Sequence, residues 1–168
     1  MNLKSEWLSD INDMHYKFGA TEWVDLMHRS KNYKVLKDFL AFRLDFLEEE
    51  YEETLKAFMK GDHKEVVDGL IDLIVIAIGT LDLFKCDADE VWDKIHNSNM
   101  LKEPGTNKSR PNPFGLPDMV KPERWLGPRI TEKNCGILPD ILTESEIDRN
   151  KRDLENEFKN NIANSQYE

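Results

Sequence analysis

Apolar and polar residues alternate with a helical period across the first hundred residues of the chain, and the period is lost afterwards. Leu47, Tyr51, Leu55 and Phe58 recur at three- and four-residue steps, the spacing that lines one face of an α-helix. Gly61 stops this long helix, as Gly19 stops an earlier one. Asp62 with Glu65, Asp87 with Glu90, and Thr143 with Glu146 each have the spacing of a capping box, which predicts three further helix starts. The segment "KEVVDGLIDLIVIAIGTLDLF" is apolar nearly all round, with Val67, Leu70, Ile74, Ile78 and Leu81 on one face, and predicts a central buried helix. All seven prolines and half of the glycines fall after residue 103, in a stretch with too many breakers for a helix or a central strand. The pattern therefore predicts an all-α fold: an antiparallel helical bundle over residues 1–103, a Pro/Gly-rich C-terminal arm over 104–140, and a charged helix or tail over 141–168. Phe114, Trp125 and Ile130 are the apolar residues expected to dock the arm on the bundle.

Composition narrows the partners. The formal net charge of -10 argues against a nucleic-acid backbone or an anionic membrane. The longest apolar run, Leu73 to Leu81, is bracketed by Asp72 and Asp82 and falls short of a membrane span. The start "MNLKSEWLSD" lacks the basic-then-apolar order of a secretory signal, so the expected location is cytoplasmic. Cys86 and Cys135 stand in no Cys-x-x-Cys or Cys/His pattern, and read as reduced thiols rather than a disulfide framework or a zinc site.

The stretch "FLEEEYEETLKAF" sets like charges four residues apart, Glu48 with Glu52 and Glu49 with Glu53, which opposes helix formation unless something compensates. Successive helical residues turn by about 100°, so Glu50 lies about 60° to one side of Leu47 and Glu53 about 120° to the same side. Glu48 and Glu52 fall on the opposite, solvated flank. On the next helix Glu65, Asp68 and Asp72 project within about 60° of one another. An antiparallel pair joined by "KGD" sets the two carboxylate groups face to face, where they repel without a countercharge. Hard divalent cations take oxygen ligands of this kind, and Mg²⁺ leaves positions for water and a substrate phosphate. Two bland readings stand beside the metal site: Glu65 as the capping-box partner of Asp62, and Asp72 as the ion-pair partner of a buried Arg43. No Glu-x-x-His occurs, which argues against a di-iron bundle. His15, His28 and His63 read as surface or boundary residues.

Glu49, Glu50 and Glu53 as "EExxE", then "DGLIDLIVIAIGT" at 68–80 and "HNSNMLK" at 96–102, resemble the all-α nucleoside triphosphate pyrophosphohydrolases, in their MazG-like and phosphoribosyl-ATP-pyrophosphohydrolase-like branch, including versions carried by phages. The likeness spans roughly residues 33–130. It implies Mg²⁺ (or Mn²⁺) held by acidic residues of two helices, a homodimer or homotetramer, and hydrolysis of a nucleoside triphosphate to the monophosphate and pyrophosphate. By position, Glu50, Glu53 and Asp72 match the metal ligands, while Gly69 stands where the second motif, Glu-x-x-Asp, has its glutamate. Asp68 is then the further ligand, and Glu65 to Asp68 is an alternative register. Glu49, beside those ligands but less central, is the residue expected to orient or deprotonate the attacking water, and the resemblance implies that His96, Asn99 and Lys102 contact the nucleotide. A helix C-terminus explains the last three equally. The expected function is clean-up or remodelling of the deoxynucleoside triphosphate pool. The alternatives are a dUTP- or dCTP-specific pyrophosphatase on the same fold and a non-catalytic helical interaction protein.

Overall fold

The computed structural model describes residues 3–107 and 112–142. Lys108 and Arg110 of the arm, the Thr143/Glu146 capping box and the charged tail lie outside the described residues. The order is α1 (Leu3–Lys17), α2 (Ala20–Arg29), α3 (Tyr33–Lys60), α4 (His63–Leu83), α5 (Ala88–Met100), β1 (Glu103–Gly105), β2 (Asp118–Val120), a 3-10 turn (Glu132–Asn134) and α6 (Leu138–Leu142). Among the described residues the protein is all-α apart from one short antiparallel strand pair, in which Glu103 faces Val120 and Gly105 faces Asp118.

Local chemistry sets the breaks. Gly19 and Gly61 adopt φ of 73° and 72°, the left-handed conformation that ends α1 and α3. Asp62 accepts from the backbone N–H groups of Lys64 (3.2 Å) and Glu65 (3.3 Å) to start α4, and Asp87 accepts from Glu90 N–H (3.1 Å) to start α5. The break at Lys31–Asn32, which divides α2 from α3, carries no glycine or proline; Lys31 takes φ of 58° and Ser30 caps two carbonyls of α2.

The core is small. Val24, Leu36, Leu83, Phe84 and Ile141 are its buried members, so α2, α3, α4 and α6 meet around the end of α4. α3 and α4 run antiparallel: Thr54 faces Gly69 near one end, and Arg43 reaches Ile76 and Thr80 near the other. A Cβ at residue 69 would collide with the Thr54 hydroxyl, so glycine sets how closely the two helices approach.

Three expectations are corrected. α4 is not buried within the chain: Val67 is 62% exposed, Leu70 51% and Leu81 40%. Its apolar residues outnumber the surfaces that one chain brings to them. His15 is not a surface residue; it is buried between α1 and α4, with Nδ1 2.7 Å from Asp82 Oδ2, and Asn12 donates to the other Asp82 oxygen at 2.9 Å. In the arm, Phe114 and Ile130 face solvent, and docking falls to Trp125, whose indole N–H donates to Ser98 O at 2.8 Å, and to Ile137, Leu138 and Ile141.

Candidate active site

The antiparallel packing of α3 on α4 leaves a cleft of about 320 Å³ where the two helices meet the Gly61 turn. Glu50 and Glu53 line it from α3, Glu65, Asp68 and Asp72 line it from α4, and Asp62 closes its turn end. All four proposed metal ligands thus face one space. Helical geometry explains this: Glu50, Thr54 and Ala57 lie in one narrow sector of α3, and Glu65, Gly69 and Asp72 in one sector of α4. Gly69 forms the floor, and no side chain fits there beside Thr54. The departure from Glu-x-x-Asp at this position therefore has a steric cause, and Glu65, Asp68 and Asp72 all reach the cleft around the glycine.

Electrostatics mark the cleft as short of positive charge. The Glu50 carboxyl is raised above its ordinary value, first by burial and then by repulsion from Asp72, Glu53, Glu49 and Asp68. Lys56 lines the cleft but its ammonium turns to Glu52, 3.2 Å away. Lys60 is the other cation at the rim. Arg43 does not pair with Asp72; its Nε donates to Thr80 Oγ1 (3.1 Å) and its Nη2 to Ile76 O (3.0 Å). Partial burial lowers the pKa of this guanidinium, which braces α3 on α4 one to two turns from the acids. The bland reading of Asp72 as an arginine partner is thus overturned by geometry.

The donor set suits a hard divalent cation, since every acidic group in the cleft offers oxygen and none of its lining residues offers nitrogen or sulfur of the kind softer metals prefer. Among the described residues no three His, Cys, Asp or Glu side chains converge tightly enough to form a finished cage. The cleft is an open acidic groove whose carboxylates stand apart.

The remaining predicted residues lie elsewhere. Glu49 is exposed beside Glu50 and acts on it electrostatically without lining the cleft. His96 is exposed and Asn99 half-buried at the end of α5, and Lys102 lies with Nζ 5.6 Å from the centre of the Trp125 ring, with Lys121 at 4.6 Å from the same ring. None of the three lines the cleft. The start of α5 borders an apolar groove with Ala77, Ile78 and Leu81, on the face of α4 turned away from α3. Sequence reasoning missed Asp62, Thr54 and Lys60 as cleft residues; their position beside the Gly61 turn was the available signal.

Comparison with known families bears on this arrangement. Residues 26–99 match the model of the phosphoribosyl-ATP pyrophosphohydrolase family, of the MazG-like all-α nucleoside triphosphate pyrophosphohydrolase superfamily, a stretch that runs from the end of α2 through α3 and α4 to the last turn of α5 and includes the entire cleft. No curated protein matches the chain. The family supports nucleotide pyrophosphohydrolase activity in general and is divalent-metal dependent. Among the described residues no helix is long and apolar enough to cross a membrane.

Proposed function

We propose that the protein hydrolyses nucleoside triphosphates, deoxynucleoside triphosphates above all, to the monophosphate and pyrophosphate, and that it clears or remodels the nucleotide pool of the cytoplasm. The observation that carries this reading is the facing of Glu50 and Glu53 by Asp68 and Asp72 in one cleft, with the Glu50 carboxyl raised by its neighbours. Those four residues would hold Mg²⁺, with Mn²⁺ as a substitute. When bound, the ion supplies charge neutralisation for the phosphate oxygens and acidifies a coordinated water.

The chain's own residues do the rest. Glu50, Glu53, Asp68 and Asp72 fix where the triphosphate docks, since an anion enters this cleft only alongside cations. Glu49, at the rim, orients the water that attacks the α-phosphorus and receives its proton. The bond between the α-phosphorus and the bridging oxygen breaks, and pyrophosphate leaves past Lys60. His96, Asn99 and Lys102 contact the base, sugar or phosphates. Their distance from the cleft within one chain, together with the uncovered face of α4, supports a homodimer or homotetramer in which one chain's α5 borders another chain's cleft.

The test is incubation of the purified protein with each common ribo- and deoxynucleoside triphosphate and Mg²⁺, beside an EDTA control and an Asp72→Asn variant. Monophosphate and pyrophosphate that require both metal and Asp72 are the expected products. A marked preference for dUTP or dCTP would select the narrower pyrophosphatase. Diphosphate and orthophosphate would place cleavage at the wrong bond, and no turnover, with no metal-induced rise in melting temperature, would leave a non-catalytic helical protein.

A further inference from the structure

The corner between α4 and α5 carries two thiols in a defined arrangement. Phe84 caps α4, Lys85 turns through φ of 59°, and Cys86 precedes the Asp87 cap of α5. Across from it, the 3-10 turn ends at Cys135, Gly136 turns through φ of 57°, and Ile137 leads into α6. Two backbone hydrogen bonds tie the segments, Asp87 N–H to Asn134 O and Ile137 N–H to Phe84 O, both 3.0 Å. The two bonds bracket Lys85 and Cys86 on one segment and Cys135 and Gly136 on the other. The segments touch closely: a Cβ on Gly136 would collide with the carbonyls of Phe84 and Lys85.

The side chains lie close as well. The Cys86 thiol lies 3.6 Å from the carbonyl oxygen of Cys135, and the Cys135 thiol donates to Thr131 O at 3.3 Å. Both cysteines are free and half-buried. The Cys86 sulfur thus already lies against the Cys135 backbone, and closing a disulfide requires the Cys135 side chain to rotate away from Thr131.

We propose that Cys86 and Cys135 are a reversible disulfide site, oxidised by exchange with a low-molecular-weight disulfide, that staples the segment from the 3-10 turn through α6 to the α4–α5 corner. The segment matters because Ile141 completes the core and Asp140 pairs with His28 at 2.8 Å. The staple would also close one loop around α5 and the whole arm, fixing both ends of the region that carries His96, Asn99 and Lys102. The inference is independent of any catalytic reading of the acidic cleft.

The chemistry balances in two exchanges. The Cys135 thiolate attacks the external disulfide, forms a mixed disulfide and expels one small thiolate. The Cys86 thiolate then attacks the Cys135 sulfur and expels the second. Two protein thiols are oxidised, one external disulfide is reduced to two thiols, and each cysteine gives up its proton to solvent. Burial, with the neighbouring Cys135, pushes the Cys86 thiol up to about 11, so the second exchange is the slow one near neutrality and accelerates in alkali.

The experiment treats the whole purified protein with oxidised glutathione from neutral to alkaline pH, quenches with acid, and reads intact mass, non-reduced peptides and melting temperature. The expected product is monomeric in chain number, lighter by two hydrogens, with residues 86 and 135 in one linked peptide. Its melting temperature should rise by roughly 5–15 °C and return on addition of dithiothreitol. Cys86→Ser should stop at a single glutathione adduct on Cys135, showing that the fold tolerates the change while ring closure fails. Persistent glutathione on both cysteines, exclusive cross-linking between chains, or thiols that react only after denaturation would each overturn the proposal.

Discussion

The two sides of α4 differ in what they lack. Toward α3 it offers Glu65, Asp68 and Asp72 to a cleft whose opposite wall is also acidic. Away from α3 it offers Val67, Leu70, Ile71 and Leu81, each at least 40% exposed, and with Trp7 and Trp92 it lines an apolar groove of about 490 Å³. The first side has packing without charge balance; the second has apolar surface without packing. A cation would repair the first and a protein surface the second, and neither is supplied among the described residues.

The largest effect should come from the acidic side. Asp72→Asn removes one proposed cation ligand, and turnover should fall by about 10²–10³-fold, the usual scale for losing one group that stabilises developing charge. The metal-free melting temperature should hold or rise, because a repelling carboxylate is gone. A variant that unfolds instead would mean that Asp72 is structural and would erase the contrast between the two sides.

On the apolar side, Leu70→Glu and Ile71→Glu should convert an oligomer to monomers by sedimentation or light scattering, with loss of activity following loss of assembly. If the protein is monomeric, these exposed positions should change stability by no more than about 0.5 kcal/mol. That result would leave the exposed face without a partner copy, and would require His96, Asn99 and Lys102 to act from the same chain.

The seam between α3 and α4 is set by Gly69, and its substitution sharpens the comparison. Gly69→Ala drives a methyl into Thr54 and should cost about 1–3 kcal/mol, the range for overpacking a close contact. Adding Thr54→Ala should return part of that loss in a double-mutant cycle, since the hydroxyl is the nearest obstacle. Additive losses would mean that the helices are not held at this point.

Much of the seam was legible in the sequence because helical period is a local property. The same 100° arithmetic that puts Glu50 beside Thr54 and Ala57 puts them in one cleft wall, and Asp62 and Asp87 cap where their spacing says they should. What was not legible depends on partners distant in sequence. Periodicity marks residues of α4 as apolar but cannot say which neighbour covers them, so the pattern predicts a buried helix where Val67, Leu70, Ile71 and Leu81 stay exposed. His15 meets Asp82 across 67 residues, and no local pattern encodes that pair. The role of Gly69 was hidden for a related reason: a missing side chain signals a close contact only once the opposite helix is known. In the arm, Trp125 docks because its N–H finds a carbonyl at the end of α5, while Phe114, equally apolar, has no such anchor and stays in solvent.

The smallest expected effect tests whether the acids of the cleft oppose folding when no cation is present. Glu50 is raised above the ordinary value of 4.5, so the folded protein binds its proton more tightly than the unfolded chain does. Its contribution to stability is greatest below that ordinary value and is lost as pH climbs through the raised one. In EDTA, the melting temperature of wild-type protein should therefore fall more steeply over this window than that of Glu50→Gln, which has no carboxyl to ionise. Mg²⁺ should shrink the difference from the wild-type side, because a bound cation favours the ionised carboxylate. Parallel curves for the two proteins, with and without Mg²⁺, would mean that solvent already screens the carboxylates from one another, and the cleft would then differ from the apolar face in composition but not in what it needs.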